Sequence, residues 1–186
     1  MNIGQYATIH NMLRIYIDAD SMTEKHRSII LNRALKENAE AYFVADRSLP
    51  DVVDAIAKNT EELRNPFRGS LDKQELRKIK SRIQMIVVET GANSADDMIV
   101  EIAVAPSLAI THDIPLASRL IEKGISVIDD RGNILNGDNI RERLSIRAIN
   151  NDFREMGIAS DKSKRFDQSI MNRFSSAFDK AVNNLK

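Results

Sequence analysis

The feature that most constrains this chain is a repeated alternation between short strand-like runs and segments of helical periodicity. Five apolar runs predict strands, and they span 14–17, 42–45, 83–88, 108–111 and 126–128. Helical patterns fill the intervals between them, as expected when crossover helices join parallel strands. The chain is therefore predicted to form an α/β domain, a three-layer fold with a central, mainly parallel sheet and a C-terminal helix.

The run at 83–88 is the strongest of the predicted strands because it is almost continuously apolar. Such runs are typical of strands that are covered by helices on both faces of a parallel sheet. We therefore expect 83–88 to lie inside the sheet and not at its edge.

Helix signals follow most of these strands. Ser21 and Glu24 have the spacing of a capping box and predict a helix that begins at Ser21. Pro115 suits a first helical residue, and Gly124 suits a helix stop. The other predicted helices span 51–63, 70–82, 94–105 and 139–149.

The end of the chain shows a different pattern, an amphipathic stripe after a polar segment. The stripe consists of Phe166, Ile170, Phe174, Ala177, Ala181 and Leu185. It is more typical of a helix that packs on a core than of a ligand site, and dimerisation through it is an open alternative. The 186 residues thus divide into a leader at 1–12, a domain at 13–157, and a flexible linker with a C-terminal helix at 158–186.

Composition excludes several classes of protein. The chain has no Cys, which excludes disulfides, thiolate metal sites and thiol catalysis. Its 27 basic and 27 acidic residues balance, so a generally basic nucleic-acid coat is excluded, although a local basic patch is not. Because it shows neither a secretory signal nor a long apolar run, we expect a cytoplasmic protein without membrane contact.

Every predicted strand is followed by at least one acidic residue. Since ligands of open α/β sheets bind beyond the carboxyl ends of the strands, this placement predicts a site rich in carboxylates. Hard divalent cations such as Mg²⁺ and Mn²⁺ prefer oxygen ligands, and two of them can promote phosphodiester cleavage. The alternative is that these acids only cap helices and turns. The acids and their polar neighbour are Asp18, Asp20, Asp46, Asn93, Asp96, Asp97, Asp113, Asp129 and Asp130.

Four of these acids are predicted to be both catalytic residues and metal ligands: Asp18, Asp20, Asp96 and Asp113. Asp18 and Asp20 are the best candidates because they stand together at a strand end. Other polar residues nearby are assigned structural or solvent-exposed roles. These are Asp97 as a helix cap, Glu101 as a solvated residue, His112 as a structural or exposed residue, and Asp129 and Asp130 as turn residues.

Four sequence segments resemble the YaiI/YqxD family, small bacterial proteins whose fold is assigned to the PIN-like nucleases. They are IDAD at 17–20, ADDMIV at 95–100, THDIPLA at 111–117 and NIRERL at 139–144. The resemblance covers 14–157 and implies a Mg²⁺- or Mn²⁺-dependent nuclease that acts on RNA more readily than on DNA. It places the site on Asp18, Asp20, Asp96 and Asp113.

Departures from the family pattern keep two alternatives open. Asn93 stands where the family commonly has an Asp, which favours an inactive PIN-like module for RNA binding or interaction. Asp46 stands where the family has Asn, and 59–82 has the character of an insertion. A phosphatase of the haloacid dehalogenase type also begins with Asp-x-Asp, but Met22 stands where that class needs Thr or Val.

Two basic clusters are candidates for nucleic-acid contact. Residues 64–82 carry seven basic side chains against two acidic ones, with Arg68, Arg77 and Lys78 as the predicted contacts. Arg143 and Arg147 lie one helical turn apart and form the second cluster. A solvated or salt-bridged surface is the alternative for both.

Overall fold

One six-stranded sheet organises the chain. A computed structural model describes residues 12–89, 91, 94–155 and 168–186, with the side chains of 148–155 excepted. The strands are β1 (Arg14–Asp18), β2 (Glu40–Ala45), β3 (Ile83–Val87), β4 (Leu108–Ile110), β5 (Ser126–Ile128) and β6 (Ile134–Leu135). Their order is β3-β2-β1-β4-β5-β6, and only β6 pairs antiparallel with its neighbour.

Helices cover both faces of this sheet. They are α1 (Glu24–Lys36), α2 (Pro50–Arg64), α3 (Lys73–Lys78), α4 (Ser94–Ile102), α5 (Ile114–Glu122), α6 (Gly137–Glu155) and α7 (Gln168–Asn184). One apolar cluster joins the sheet to α1, α2 and α7, and a second joins it to α4, α5 and α6. The predicted three-layer α/β fold is therefore confirmed.

The side chains of the central strand show how the sequence divides between the two layers. Ile15 and Ile17 of β1 lie in the cluster with α1, α2 and α7. Tyr16, which lies between them, points to the opposite face and stacks on Tyr42 of β2 with 5.2 Å between ring centroids. This alternation with a period of two fixes the register, since a slip of one residue would exchange the faces.

The expected place of the 83–88 strand in the sheet is wrong. β3 is an edge strand that pairs only with β2, and Val87 is 53% exposed. Its apolar side chains are covered in part from both faces, because Met85 packs with one cluster and Ile86 with the other. An apolar run therefore indicates that helices pack on both faces of the strand, and helices can pack on both faces of an edge strand too.

The predicted start of one helix and the predicted length of another also need correction. α1 begins at Glu24, where the Thr23 hydroxyl caps the His26 N–H, while Ser21 lies in a short 3-10 turn. The helix predicted over 70–82 covers only α3, because Asp72 and Glu75 form the capping box that starts it. After Ile79 the chain becomes extended as it enters β3.

The C-terminal helix α7 belongs to the main core. Its buried residues are Met171, Phe174, Phe178 and Val182, so the predicted stripe was partly misplaced around the helix. Phe174 meets the ring of buried His26 edge-on at 4.8 Å. Gly132, with φ +76°, lets the turn after β5 approach α7, where a Cβ would lie 2.8 Å from the Arg173 carbonyl oxygen. Of the predicted leader 1–12, residues 1–11 lie outside the described residues, as does the segment 158–167, which contains Phe166.

Candidate functional site

The candidate site lies at the point where the sheet changes its direction of winding. From β1 the chain proceeds to β2 on one side, whereas from β4, the other neighbour of β1, it proceeds to β5 in the opposite direction. Such a switch point leaves a crevice beyond the carboxyl ends of the two central strands. Asp18 ends β1 and Asp113 follows β4, so both border this crevice.

Asp18 and Asp113 are linked through Thr111, a residue that the sequence analysis did not assign to the site. The buried Thr111 hydroxyl donates to Asp18 Oδ2 at 2.7 Å and accepts from the Asp113 N–H at 3.0 Å. Asp18 itself is 8% exposed. Thr111 thereby fixes the relative positions of the two acids. The available signal was its place at the end of the β4 run, directly before His112 and Asp113.

Asp113 uses its two carboxylate oxygens differently. Oδ1 accepts from the Leu116 N–H at 2.9 Å and caps α5, while Oδ2 lies 3.2 Å from Arg147 Nη1 of α6. Pro115 lies in the first turn of α5, as expected. One oxygen is thus committed to the helix, and the other is held by an exposed guanidinium that a competing cation can displace.

Asp96 completes a group of three acids. It lies in the first turn of α4 and is partly buried. Burial, followed by the negative charges of Asp113 and Asp18, raises the pKa of Asp96 to about 6, although Arg119 opposes the shift. Asp96 therefore lies near enough to Asp18 and Asp113 for their charges to act on it.

Asp20 lies beside this group and pairs with Asp46 at the end of β2. Its Oδ2 accepts from the Asp46 N–H at 2.6 Å. Arg47 Nη1 lies 3.0 Å from Asp20 Oδ1 and 3.1 Å from Asp46 Oδ1. Burial raises the pKa of Asp20, the Asp46 charge raises it further, and the Asp46 N–H and Arg47 act against this. Sequence reasoning missed Arg47, whose only signal was its place after a strand.

The remaining polar residues near the strand ends have structural or surface roles. Asp97 forms a 2.8 Å ion pair with Arg119, in place of the cap that was predicted. His112 and Glu101 are exposed. Asp129 is confirmed as a turn residue, since its Oδ1 accepts from the backbone N–H groups of Arg131 and Asn133. Asp130 is buried beside His26, and this burial raises its pKa.

The two predicted basic clusters lie at different ends of the sheet. Arg143 contacts Asp129 Oδ2 at 3.3 Å and Arg147 contacts Asp113, so α6 carries both arginines over the carboxyl end. Arg68, Arg77 and Lys78 lie between α2 and the start of β3, which is the amino end of the parallel strands.

No preformed metal group is present among the described residues. Within them, no three His, Cys, Asp or Glu side chains are arranged to hold a metal ion. Asn93 lies outside the described residues. The donor set nevertheless suits a hard cation, because Asp18, Asp96 and Asp113 all offer carboxylate oxygens at this end of the sheet.

Comparison with known proteins establishes the family. Residues 48–184 match the family described as "Uncharacterized BCR, YaiI/YqxD family". A UPF0178 protein of Pseudomonas fluorescens is 31% identical over 173 residues, which are 93% of this chain and 97% of that protein. A UPF0178 protein of Syntrophobacter fumaroxidans is 32% identical over 172 residues, 91% of this chain and 94% of that protein. The chain therefore belongs to the YaiI/YqxD family.

Two further findings concern the match to solved structures and the presence of membrane-spanning helices. No solved structure gives a significant match to this chain. In the described part of the chain, no helix combines the length and the apolar character that crossing a membrane requires.

Proposed function

We propose that this protein is a Mg²⁺- or Mn²⁺-dependent nuclease that hydrolyses phosphodiester bonds, with RNA as the preferred substrate. The observation that carries the proposal is the placement of Asp18, Asp96 and Asp113 near one another at the switch point, where burial and then the charges of Asp113 and Asp18 raise the pKa of Asp96 to about 6. Asp18 and Asp113 have hydrogen-bond or ion-pair partners, but their charges still act on the partly buried Asp96. A divalent cation would neutralise the negative charge that remains on this group.

The site residues divide into two tasks. Asp18, Asp96 and Asp113 would hold the cation, with Asp20 beside them as the fourth acid. Bound there, a divalent cation supplies Lewis acidity for attack by water on a phosphodiester. Arg147 and Arg143 reach the same edge of the sheet from α6, and their guanidinium groups suit the non-bridging oxygens of a phosphate. Release of Arg147 from Asp113 when a cation binds would free it for this contact.

The second candidate function is an inactive module that binds RNA without cleaving it. It is favoured by the ion pairs of Arg147 with Asp113 and of Arg47 with Asp20, which neutralise part of the acid group from within the chain. In that case the arginines have taken the place of the cation, and the acids only position them.

A cleavage assay with neighbouring variants separates the two functions. We expect the parent to cut a labelled RNA oligomer only when Mn²⁺ or Mg²⁺ is added. Asp96→Asn should lose at least about 100-fold in rate, a loss typical of removing a group that stabilises charge at the reacting centre. Asp97→Asn is the matched control, because Asp97 is the next residue but points to Arg119, and it should keep parental activity. RNA binding without cleavage in the parent would favour the inactive module.

A further inference from the structure

The amino end of the sheet carries a basic surface that the candidate site does not use. It is formed by the end of α2, the Asn65–Phe67 turn and α3, and by the chain that leads into β3. Seven of the 19 residues from 64 to 82 are basic and two are acidic. In a protein with no net charge, this concentration makes one end strongly positive.

Part of this basic surface is anchored and part is free. Arg64 Nε donates to the Ile79 carbonyl at 2.9 Å, which ties the end of α2 to the chain before β3, and Arg68 pairs with Glu61. The exposed side chains of Lys73 and Arg77 form no ion pair or hydrogen bond within the described part of the chain. They lie one turn apart on α3, where like charges repel.

These side chains surround a shallow cavity of about 210 Å³. It is lined by Glu61, Arg64, Arg68, Lys73, Leu76 and Arg77. Four of the six lining residues are cationic, and only Glu61 is anionic. A cavity of this composition favours an anion, and the unpaired Lys73 and Arg77 are the groups that gain most from one.

An exposed aromatic residue directly precedes one of the residues that line this cavity. Phe67 is 44% exposed and directly precedes Arg68 in the turn after α2. Sites that bind single-stranded nucleic acid combine a positive surface for the backbone with exposed rings on which unpaired bases stack. Bases within a duplex already stack on one another and do not offer a free face.

We propose that Phe67, Lys73 and Arg77 form a binding site for single-stranded RNA at the amino end of the sheet, separate from the carboxylate site. Lys73 and Arg77 contact phosphates, and the Phe67 ring stacks on a base. The choice of RNA rests on the proposed function, whereas the site itself does not depend on cleavage. The five residues of β3 span about 16 Å. A single RNA strand must therefore extend at least that far to contact both the carboxylate site and the basic surface at the amino end.

The test measures binding of a labelled, unstructured RNA of about 12 nucleotides to the full chain in EDTA, which prevents metal-dependent cleavage. The double variant Lys73→Ala, Arg77→Ala should bind at least about tenfold more weakly. Its log–log salt slope should fall by about 1.4, because two phosphate contacts are lost. The charge-matched control is Lys25→Ala, Lys180→Ala, which removes two exposed lysines elsewhere and should bind as the parent does. Equal binding by both double variants would overturn the proposal.

A second variant tests the stacking ring. Phe67→Leu should weaken RNA binding by about fivefold or more, while Phe67→Tyr keeps parental affinity. Inorganic polyphosphate, which has no bases, should bind Phe67→Leu and the parent equally. If Phe67→Leu binds RNA as tightly as the parent, the surface is a general polyanion site and the RNA assignment is wrong.

Failure of this inference is distinguishable from failure of the proposed function. A parent that never cleaves RNA, together with at least about tenfold weaker binding of the oligomer in EDTA by Lys73→Ala, Arg77→Ala, would refute the nuclease proposal and leave this site intact. Conversely, normal RNA binding by Lys73→Ala, Arg77→Ala together with Mn²⁺-dependent cleavage would refute the second site and leave the nuclease proposal intact.

Discussion

The two ends of the sheet differ in charge and in how that charge is organised. At the carboxyl end, the acids are Asp18 of β1, Asp113 at the start of α5 and Asp96 of α4, and Thr111 and the helix cap hold the first two in place. At the amino end, the basic residues come from one continuous stretch, 64–82, and two of them are free on a six-residue helix. The net charge of the chain is zero, but acidic and basic residues are concentrated at opposite ends of the sheet.

The two ends differ in how their residues are brought together: the fold assembles one group from distant parts of the sequence, and one continuous segment supplies the other. The carboxyl-end group exists only because parallel strands end at one edge, so residues nearly a hundred positions apart become neighbours. The amino-end surface needs only local structure. Changes at one end should therefore leave the other unaffected, and the following experiments test that independence.

The largest effect is expected from Asp20→Asn. We expect it to abolish metal-dependent cleavage and to leave RNA binding at the amino end unchanged. Since it relieves repulsion with Asp46, the variant without metal should be as stable as the parent or slightly more so. Mn²⁺ at about 100 times its Kd should stabilise the parent by about 2.7 kcal/mol and the variant by much less. Thermal melts with and without Mn²⁺ measure both effects. A marked loss of stability without metal would mean that Asp20 is a structural cap.

The two ends should also respond differently to pH. Protonation of Asp96, whose pKa is about 6, removes one negative charge from the crevice as the pH falls. Mn²⁺ affinity should therefore drop by about tenfold between about pH 7.5 and pH 5. RNA binding in EDTA should change little over the same range, because Lys73 and Arg77 stay charged. A parallel loss at both ends would contradict their independence.

A smaller effect is expected from Arg147→Met. Removing the guanidinium leaves Asp113 Oδ2 available to a cation, so Mn²⁺ should bind about 1.4- to fivefold more tightly, since an exposed ion pair contributes about 0.2–1 kcal/mol. Cleavage should nevertheless fall, because a phosphate contact is lost. Arg14→Met is the control, since Arg14 starts β1 at the other end of the strand and pairs with Glu40, away from the acid group. Weaker Mn²⁺ binding by Arg147→Met would show that Arg147 positions the acids and does not compete with a cation.

A further effect concerns stability. The folded-state pKa of Asp96 lies above its unfolded value near 4, so the folded protein binds the proton more tightly. Asp96 therefore destabilises the fold above about pH 6, and this cost disappears as the pH falls towards 4. Asp96→Asn should remove this part of the pH dependence in thermal melts, whereas Asp97→Asn should keep it.

Much of the fold followed from periodicity, because strand alternation and helix spacing are local properties of the sequence. β5 and the exits of β1 and β4 lie where the sequence placed them. The position of β3 at the edge of the sheet could not be predicted from periodicity. An apolar run indicates that helices pack on the strand, but it does not indicate how many strands lie beside it. The helix over 70–82 was too long because its charged residues fit a helix as well as a loop.

The acidic residues of the candidate site could be predicted from the sequence, but the residues that pair with them could not. Asp18, Asp20, Asp96 and Asp113 could be named from their places after strands, and their role as a cation site stays a prediction; the structure links Asp18 to Asp113 through Thr111 and places Asp96 within reach of their charges. Thr111, Arg47 and the ion pair between Arg147 and Asp113 depend on how distant elements pack, which no local pattern records. The separation of the basic clusters likewise required the strand order.

The central claim is that the acids at the switch point bind a divalent cation, and calorimetric titration with Mn²⁺ tests it most directly. We expect saturable binding to the parent and to Asp97→Asn, and at least tenfold weaker binding to Asp96→Asn, as expected when one carboxylate ligand is lost. Equal affinity in all three proteins, or no saturable binding to the parent, would contradict the account.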